Sequence, residues 1–271
     1  RSGQLMRPVF EIARRTQRKV VYAEGEEERI LRAVQTVVDE KIARPVLIGR
    51  KAVILERAQQ LGLRMDFEKH ATILDPDNDE EIFAPLRRRY SRLVERRGVT
   101  PDASARWMRT RRAITAALVL EAGLADAALC GGLGDWIRQY KQIAPIIPHT
   151  GVSRTYSLSA LILPNGVLFF CDTHLTMDPT AEQVAEMTIL AARAVRRFGV
   201  KPKAALLSHS SFGASAHPSA RKMREALAMI HARAPDLEVD GEMHADAALS
   251  EALRGRLVSS SPLRGSANLL I

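Results

Sequence analysis

The chain has 271 residues, 46% hydrophobic and 26% charged, which excludes a disordered or fibrous protein and provides a packed core. At roughly 150 residues per domain, this length predicts two lobes. The net charge of +9 leaves three interpretations open: a solvated surface, a field that steers anions to a cleft, and a nucleic-acid interface. Nucleic acid is the least favoured, because no basic run is interleaved with aromatic residues.

The first half of the chain alternates short apolar runs with helical periodicity. Strands are predicted at RKVVYAEG, RPVLIG, FEKHATILDP and DAALCGG. Glu26, Glu27 and Glu28 are predicted to lie in the first turn of the helix after the first strand, where carboxylates oppose the positive helix end. KAVILERAQQLG and EEIFAPLRRRYSRLVERRG are predicted helices. TPDASARWMRTRRAITAALVLEAG is predicted as one long helix that begins at Thr100 and Pro101.

The second half has a different order of predicted strands and helices. TYSLSALILPNGVLFFCDTH predicts two strands of a hairpin, joined at Pro164, Asn165 and Gly166. Thr180 and Gln183 predict a capping box for the helix TAEQVAEMTILAARAVRRFG. KAALLSHSS, LEVDGEM and ANLLI predict strands, and PSARKMREALAMIHARA predicts a helix. The fold class is therefore α/β, with mostly parallel sheets flanked by helices in two lobes, residues 1–150 and 151–271.

A polar loop from Ser208 to Ser215 follows the strand KAALL and precedes a helix. Hydroxyls, loop N–H groups and a helix start can all donate to a phosphate at the carboxyl end of a strand. The candidate ligand-binding residues here are Ser208, Ser210, Ser211, Gly213 and Lys222. A Ser-rich cap without a ligand is the alternative. A hydrolase is disfavoured, because Ser208 and His209 point to opposite faces of a strand and no G-x-S-x-G motif exists.

A second candidate site lies in DAALCGGLGDWIRQYKQ. Its glycines allow close approach of a ligand, and Arg138 can bind a phosphate or carboxylate through two donors. Arg154 is expected to converge on the same cleft. This segment lacks G-x-G-x-x-G, so a dinucleotide site is unsupported, and a plain turn remains the alternative.

A third set alternates along a strand and resembles metal ligands: Asp240, Glu242, His244 and Asp246. Asp246 is predicted to begin a helix, which breaks the alternation. A polar strand end with a helix cap is therefore favoured, and no metal site is predicted. Asp172 and His174 are interpreted as residues that line a cleft.

Cys130 and Cys171 each lie in an apolar run and are interpreted as small buried residues of a protein in a reducing compartment. No apolar run reaches the roughly 18 residues of a membrane helix. RSGQLMRPVF has no signal-peptide layout. We therefore expect a cytoplasmic protein without membrane or nucleic-acid partners.

Several long segments resemble the phosphotransacetylase family: DPTAEQVAEMTILAARAVRRFGVKPKAALLSHSSFGAS, KMREAL and PDLEVDGEMHADAALSEAL. Together with LMRPVFEIARR, VVYAEGEEERILRAVQ and ARPVLIGR, they resemble more narrowly the phosphotransacetylase-like half of bacterial hybrid NADP-dependent malic enzymes. The resemblance covers essentially the whole chain. It implies an isocitrate dehydrogenase-like fold with a cleft between two α/β lobes.

The resemblance also implies a function. It indicates an acetyl-CoA-binding domain for regulation and oligomerisation, whose own malic enzyme half carries NADP, a divalent metal and the oxidative decarboxylation of malate to pyruvate and CO2. A homodimer or larger homo-oligomer is expected. The family's catalytic Ser, Arg and Asp are expected beyond Ile271, so no catalytic residue is assigned. Arg138 and the Ser208–Ser215 loop match ligand-binding parts of the family.

Two other functions stay open. The first is an active phosphate acetyltransferase, which converts acetyl-CoA and phosphate into acetyl phosphate and CoA. The second is an assembly module whose cleft is vestigial.

Overall fold

The computed structural model describes residues 2–147, 151, 154–164 and 166–271. Contacts divide them into two units. We call Phe10–Gly151 the first unit, and Arg1–Val9 together with Val152–Ile271 the second unit. The start of the chain thus groups with the second unit, whereas residues 1–150 were predicted to form the first lobe.

The first unit is built on a parallel sheet of strand order β3-β2-β1-β4. Its strands are β1 (Lys19–Tyr22), β2 (Arg44–Ile48), β3 (Thr72–Leu74) and β4 (Ala127–Leu129). Its helices, after α1 (Ser2–Thr16), which spans both units, are α2 (Glu28–Asp39), α3 (Lys51–Gln60), α4 (Phe67–His70), α5 (Glu80–Val94), α6 (Pro101–Thr110), α7 (Arg112–Glu121) and α8 (Trp136–Ile143). A 3-10 turn, Glu95–Arg97, follows α5. Apolar clusters of buried side chains surround this sheet.

The second unit has a sheet of strand order β5-β6-β9-β7-β8, in which only the β5–β6 pair is antiparallel among the described residues. Its strands are β5 (Leu158–Leu163), β6 (Gly166–Cys171), β7 (Lys203–Leu207), β8 (Glu238–Met243) and β9 (Leu269–Leu270). Its helices are α9 (Ala181–Arg197), α10 (Pro218–Arg233), α11 (Ala245–Leu249) and α12 (Glu251–Leu257). The fold class predicted from the sequence is confirmed.

Local signals in the sequence predicted most of the second unit correctly. The hairpin is present, although Asn165 of its predicted turn lies outside the described residues. The capping box of α9 is also present, because Thr180 accepts from the N–H of Gln183 while the Gln183 side chain accepts from the N–H of Thr180. Among the described residues, no helix combines the length and hydrophobicity that crossing a bilayer requires.

Three predictions for the first unit were wrong in detail. FEKHATILDP forms α4, which Asp66 caps, before the short β3 begins. Glu28 alone of its acidic run lies in the first turn of α2, since Glu27 is the N-cap residue and the Glu26 carboxylate bonds to Arg50. The predicted long helix is two helices that break at Arg111.

The break at Arg111 has a packing reason. Helix α6 buries one stripe, with Ser104 and Met108, whereas every residue of α7 from Ala113 to Val119 is buried. A single straight helix would have to be buried on one face in its first half and on all faces in its second half. The break places Arg111 before the first residue of α7, Arg112.

Candidate functional site

The first unit contains a cavity of about 600 Å³ at the carboxyl ends of β1 and β4. We call it the first cavity. Its walls combine basic, acidic, amide and apolar side chains, namely Glu24, Arg106, Trp107, Thr110, Arg111, Arg112, Ala113, Leu133, Gly134, Asp135, Arg138, Gln139 and Gln142. Its position agrees with the rule that ligands of parallel α/β sheets bind beyond the carboxyl ends of the strands.

Three of the four arginines that line the first cavity are available for a ligand. Among the described residues, no carboxylate lies within ion-pair distance of Arg106, Arg111 or Arg138. The guanidinium of Arg111 is held in place by the ring of Trp107, whose centroid lies 3.9 Å from the guanidinium carbon. Such stacking orients a guanidinium without neutralising its charge.

The two carboxylates of this wall are placed by the backbone. Glu24 accepts from the N–H of Gly131 at 3.1 Å, and Asp135 caps α8 by accepting from the N–H of Ile137 at 3.0 Å. Arg112 lies 3.5 Å from Glu26, whose main partner is Arg50. The hydrogen bond from the Arg50 side chain is the main reason that the pKa of Glu26 falls to about 2. The cavity therefore keeps a surplus of positive charge at neutral pH.

The second unit has a smaller cavity of about 310 Å³ at the carboxyl ends of β6, β7 and β9. We call it the second cavity. Its apolar lining is rich in methionine, and polar groups come from loops and from α10: Cys171, Asp172, Thr176, Met177, Pro179, Val184, Met187, Leu207, Ser208, His209, Ser219, Lys222, Met223 and Ile271. Burial raises the pKa of the Cys171 thiol to about 12, so this sulfur stays protonated and is a poor nucleophile.

The seven predicted ligand-binding residues are distributed over both units. Ser208 and Lys222 line the second cavity, whereas Arg138 lines the first. Arg154 is exposed, belongs to the second unit and lines neither cavity. Ser211 accepts from the N–H of His244 at 3.2 Å and also lies outside both linings.

Ser210 and Gly213 hold the loop together instead of lining the second cavity. The Ser210 hydroxyl and the Gly213 N–H donate to one oxygen of Glu242, at 3.0 and 3.1 Å. An internal carboxylate thus accepts from both groups, and their role as ligand donors stays a prediction. Of the residues predicted in this loop and helix, Ser208 and Lys222 line the second cavity.

A serine hydrolase arrangement is missing from the loop. The Ser208 Oγ accepts from the N–H of Ser210 at 3.3 Å, and the His209 ring lies edge-on against His217 with centroids 5.4 Å apart. No hydrogen bond joins Ser208 to His209 in the part of the chain that the structure describes.

The acidic set on β8 has structural roles. Asp240 accepts from the Ser261 hydroxyl at 2.5 Å, Glu242 bonds to the loop, and Asp246 lies in the first turn of α11. A helix does begin here, one residue earlier than predicted, at Ala245. Within residues 2–147, 151, 154–164 and 166–271, no group of three or more His, Cys, Asp or Glu is arranged to hold a metal ion.

Asp172, which follows β6, is also bound internally. Its carboxylate accepts from the Ser157 hydroxyl and from the N–H groups of His174, Leu175 and Thr176. Burial alone would raise the pKa of Asp172, but these donors lower it to about 2. Asp172 lines the second cavity, whereas His174 does not.

Comparison with known proteins identifies the family. The model for phosphate acetyl/butaryl transferase matches residues 4–271. The chain belongs to this family. A phosphate acetyltransferase of Clostridium acetobutylicum is 30% identical over 279 residues, which cover 98% of this chain and 81% of that enzyme. A phosphotransacetylase structure from Streptococcus pyogenes has a TM-score of 0.88 at 26% identity, covering 99% of this chain and 80% of the other.

The chain is also similar to part of a malic enzyme. It is 43% identical over 273 residues to the NAD-dependent malic enzyme of Rhizobium meliloti, an alignment that covers 100% of this chain. It spans about a third of that enzyme, 35% of its length. The family resemblance that the sequence analysis stated is thereby confirmed.

Sequence reasoning missed most of the first cavity. Arg106, Arg111 and Arg112 were predicted to lie on one continuous helix and were not named as ligand-binding candidates. The run RTRR at residues 109–112 was the available signal, because three arginines within four residues give a high local charge. Which of them face a cavity depends on the break at Arg111, and periodicity alone did not locate that break.

Proposed function

We propose that this chain is an acetyl-CoA-binding regulatory unit of a malic enzyme, and that the first cavity binds the phosphates of the effector. The similarity carries the proposal. Over the whole chain, identity is 43% to a malic enzyme and 30% to a phosphate acetyltransferase. A cytoplasmic location, a homo-oligomeric state and contact with the protein's own malic enzyme half belong to the same proposal.

The first cavity supports a phosphorylated ligand. Acetyl-CoA carries several phosphate groups, and Arg106, Arg111 and Arg138 present guanidinium groups that have no carboxylate partner among the described residues. Guanidinium groups bind phosphate through paired charge-assisted hydrogen bonds. A volume of about 600 Å³ also lies within the usual range of small-molecule sites.

Calorimetry with acetyl-CoA tests the ligand. We expect saturable binding that weakens as salt concentration rises, because exposed charges are screened. Arg138→Ala should lower the affinity about tenfold, the effect of losing one charge-assisted hydrogen bond pair. Arg109→Ala is the matched control, since Arg109 is exposed on α6, carries the same charge and does not line the cavity. Absence of binding at millimolar acetyl-CoA would refute the ligand.

The regulatory part requires the whole protein. We expect that it oxidises malate with NADP and a divalent metal held by its malic enzyme half, and that acetyl-CoA changes this rate. Coupling between such sites is typically about 1–3 kcal/mol. Arg138→Ala should bring the ratio of rates with and without acetyl-CoA towards one. Equal ratios in the variant and the unsubstituted protein would remove Arg138 from the effector site.

A second candidate function is phosphate acetyltransferase activity. The family match over residues 4–271 favours it, as does the 81% coverage of the Clostridium enzyme. The reaction exchanges the acetyl group between the CoA sulfur and a phosphate oxygen, and cationic groups would stabilise the developing charge. Acetyl phosphate formation from acetyl-CoA and phosphate by the full-length protein decides this candidate. If acetyl-CoA binds and no acetyl phosphate forms, the regulatory proposal is favoured.

A further inference from the structure

Glu242 lies beneath the Ser208–Ser215 loop and is completely buried. One of its carboxylate oxygens, Oε1, accepts from the Ser210 hydroxyl at 3.0 Å, from the Gly213 N–H at 3.1 Å and from Arg224 Nη1 at 2.8 Å. The other oxygen, Oε2, is buried without a hydrogen-bond partner among the described residues. Three donors that would suit a phosphate therefore converge on a carboxylate of the chain itself.

The same groups fasten the rest of the loop. Arg224 Nη1 also donates to the carbonyl of Ser215 at 3.2 Å, and the Ser210 oxygen accepts from the Ser215 N–H at 3.0 Å. The carboxylate of Glu242 thus connects β8 to α10 and to the middle of the loop, and Arg224 and Ser210 in turn hold its end at Ser215. The burial of such a charge is tolerated because it is paired and hydrogen-bonded.

The backbone of the loop needs this support. Phe212 has φ of 49° and Gly213 has φ of 88°, both in the left-handed region, which is unfavourable for a residue with a side chain. The Phe212 N–H donates to the Glu242 carbonyl at 2.7 Å, and its ring packs against a buried apolar cluster. Side-chain and main-chain groups of Glu242 therefore act on the part of the loop where the backbone is least favourable.

We infer that Glu242 is the built-in anion of the Ser208–Ser215 loop and a positioning residue for the wall of the second cavity. The loop has the donors of an anion site, but the anion that they bind is the Glu242 carboxylate. Because this carboxylate fixes the loop, Ser208 and His209 face the second cavity. Burial raises the pKa of Glu242, yet the Gly213 N–H, the Ser210 hydroxyl and Arg224 outweigh it, so this pKa lies below its usual value. The carboxylate is accordingly charged at neutral pH.

Replacement of the internal anion by an external one tests the inference. Glu242→Ala leaves Ser210, Gly213 and Arg224 around a space of carboxylate size. We expect this variant to have a lower thermal midpoint and about tenfold faster hydrogen exchange at the Gly213 and Ser215 amides. Formate should restore both properties, whereas chloride at equal ionic strength should not. Formate should change neither the unsubstituted chain nor Glu242→Gln, in which an amide fills the space.

Two results would overturn the inference. One is unchanged exchange at Gly213 and Ser215 in Glu242→Ala, and the other is an equal effect of formate and chloride on that variant. If Glu242→Ala does not fold, Ser210→Ala provides the test, because it removes one donor to Glu242 and the acceptor of the Ser215 N–H. Exchange at Ser215 should then be faster, and exchange at the unsubstituted rate would contradict the inference. No measurement here uses acetyl-CoA, so this inference and the proposed function fail independently.

Discussion

The two units use their polar residues in opposite ways at the carboxyl ends of their strands. In the first unit, Arg106, Arg111 and Arg138 line a cavity without carboxylate partners among the described residues. In the second unit, Asp172 and Glu242 engage loop hydroxyls and N–H groups internally. Donors that are already bonded stabilise the fold, whereas donors without partners can bind a ligand.

This difference changes the interpretation of a polar loop after a strand. The sequence pattern of Ser208 to Ser215 predicts donors correctly but does not show what accepts from them. The acceptor, Glu242, lies 27 residues after Ser215, on a different strand. We therefore expect substitutions of bonded charges in the second unit to affect stability, and substitutions of unpaired charges in the first unit to affect affinity.

The largest expected effect belongs to Arg254. Its side chain is 1% exposed and donates to backbone carbonyls that include those of Ala247, Leu263 and Gly265. Arg254→Met keeps much of the volume but leaves these acceptors unpaired, so the free energy of unfolding should fall by about 3 kcal/mol or more. Chemical denaturation measures this, with Arg256→Met, an exposed position on the same helix, as control. A similar loss of unfolding free energy in both variants would show that the effect does not come from the buried contacts of Arg254 with carbonyl groups.

Asp172→Asn should have the next largest effect. The substitution replaces a carboxylate that accepts from a hydroxyl and several N–H groups by a neutral amide, which weakens these hydrogen bonds. The free energy of unfolding should therefore fall by about 1–3 kcal/mol at neutral pH. The folded-state pKa of Asp172 is about 2, below the unfolded value near 4. Its stabilisation is therefore complete above about pH 4 and disappears as the pH falls towards 2.

Acid titration of the Asp172→Asn variant separates the contribution of Asp172 from that of Glu26. Glu26 in the first unit also has a pKa of about 2 and the same sign of pH dependence. Asp172→Asn should make unfolding less sensitive to acid between about pH 4 and 2, while the contribution of Glu26 remains. An acid profile equal to that of the unsubstituted chain would mean that Asp172 titrates normally.

Arg106→Ala tests the first unit. Arg106 is exposed and unpaired among the described residues, so its loss should change the free energy of unfolding by less than about 0.5 kcal/mol. Acetyl-CoA affinity should nevertheless fall about tenfold. Binding and denaturation are measured on the same preparation, with Arg109→Ala as control. A change in stability without a change in affinity would contradict the proposed difference between the two units.

How much the sequence predicted depends on the range of the interaction. Alternating strands and helices, the capping box of Thr180 and the start of α10 follow from neighbouring residues, and they were predicted. The break at Arg111 follows from the burial of α7 in three dimensions, and it was missed. The pairing of Glu242 with Ser210 joins residues 32 positions apart, which no local pattern encodes.

The same dependence on the range of the interaction holds for the candidate site residues. Arg138 and Lys222 were both identified as cations near helix starts, and both line cavities. Their difference lies in their partners, since Lys222 Nζ bonds to Asp178 at 2.6 Å while Arg138 has no carboxylate partner among the described residues. The partner of Lys222 is 44 residues away, so sequence alone gave the two cations equal weight.

Lys222→Met has the smallest expected effect and tests the comparison most directly. The Asp178 side chain of this ion pair is 92% exposed, and pairs with exposed partners contribute little to stability. The free energy of unfolding should change by less than about 0.5 kcal/mol. If acetyl-CoA binds through the first cavity alone, its affinity should also stay unchanged. An affinity loss of about tenfold would instead mean that Lys222 leaves Asp178 to bind the ligand, and that an internal ion pair does not exclude a role in binding.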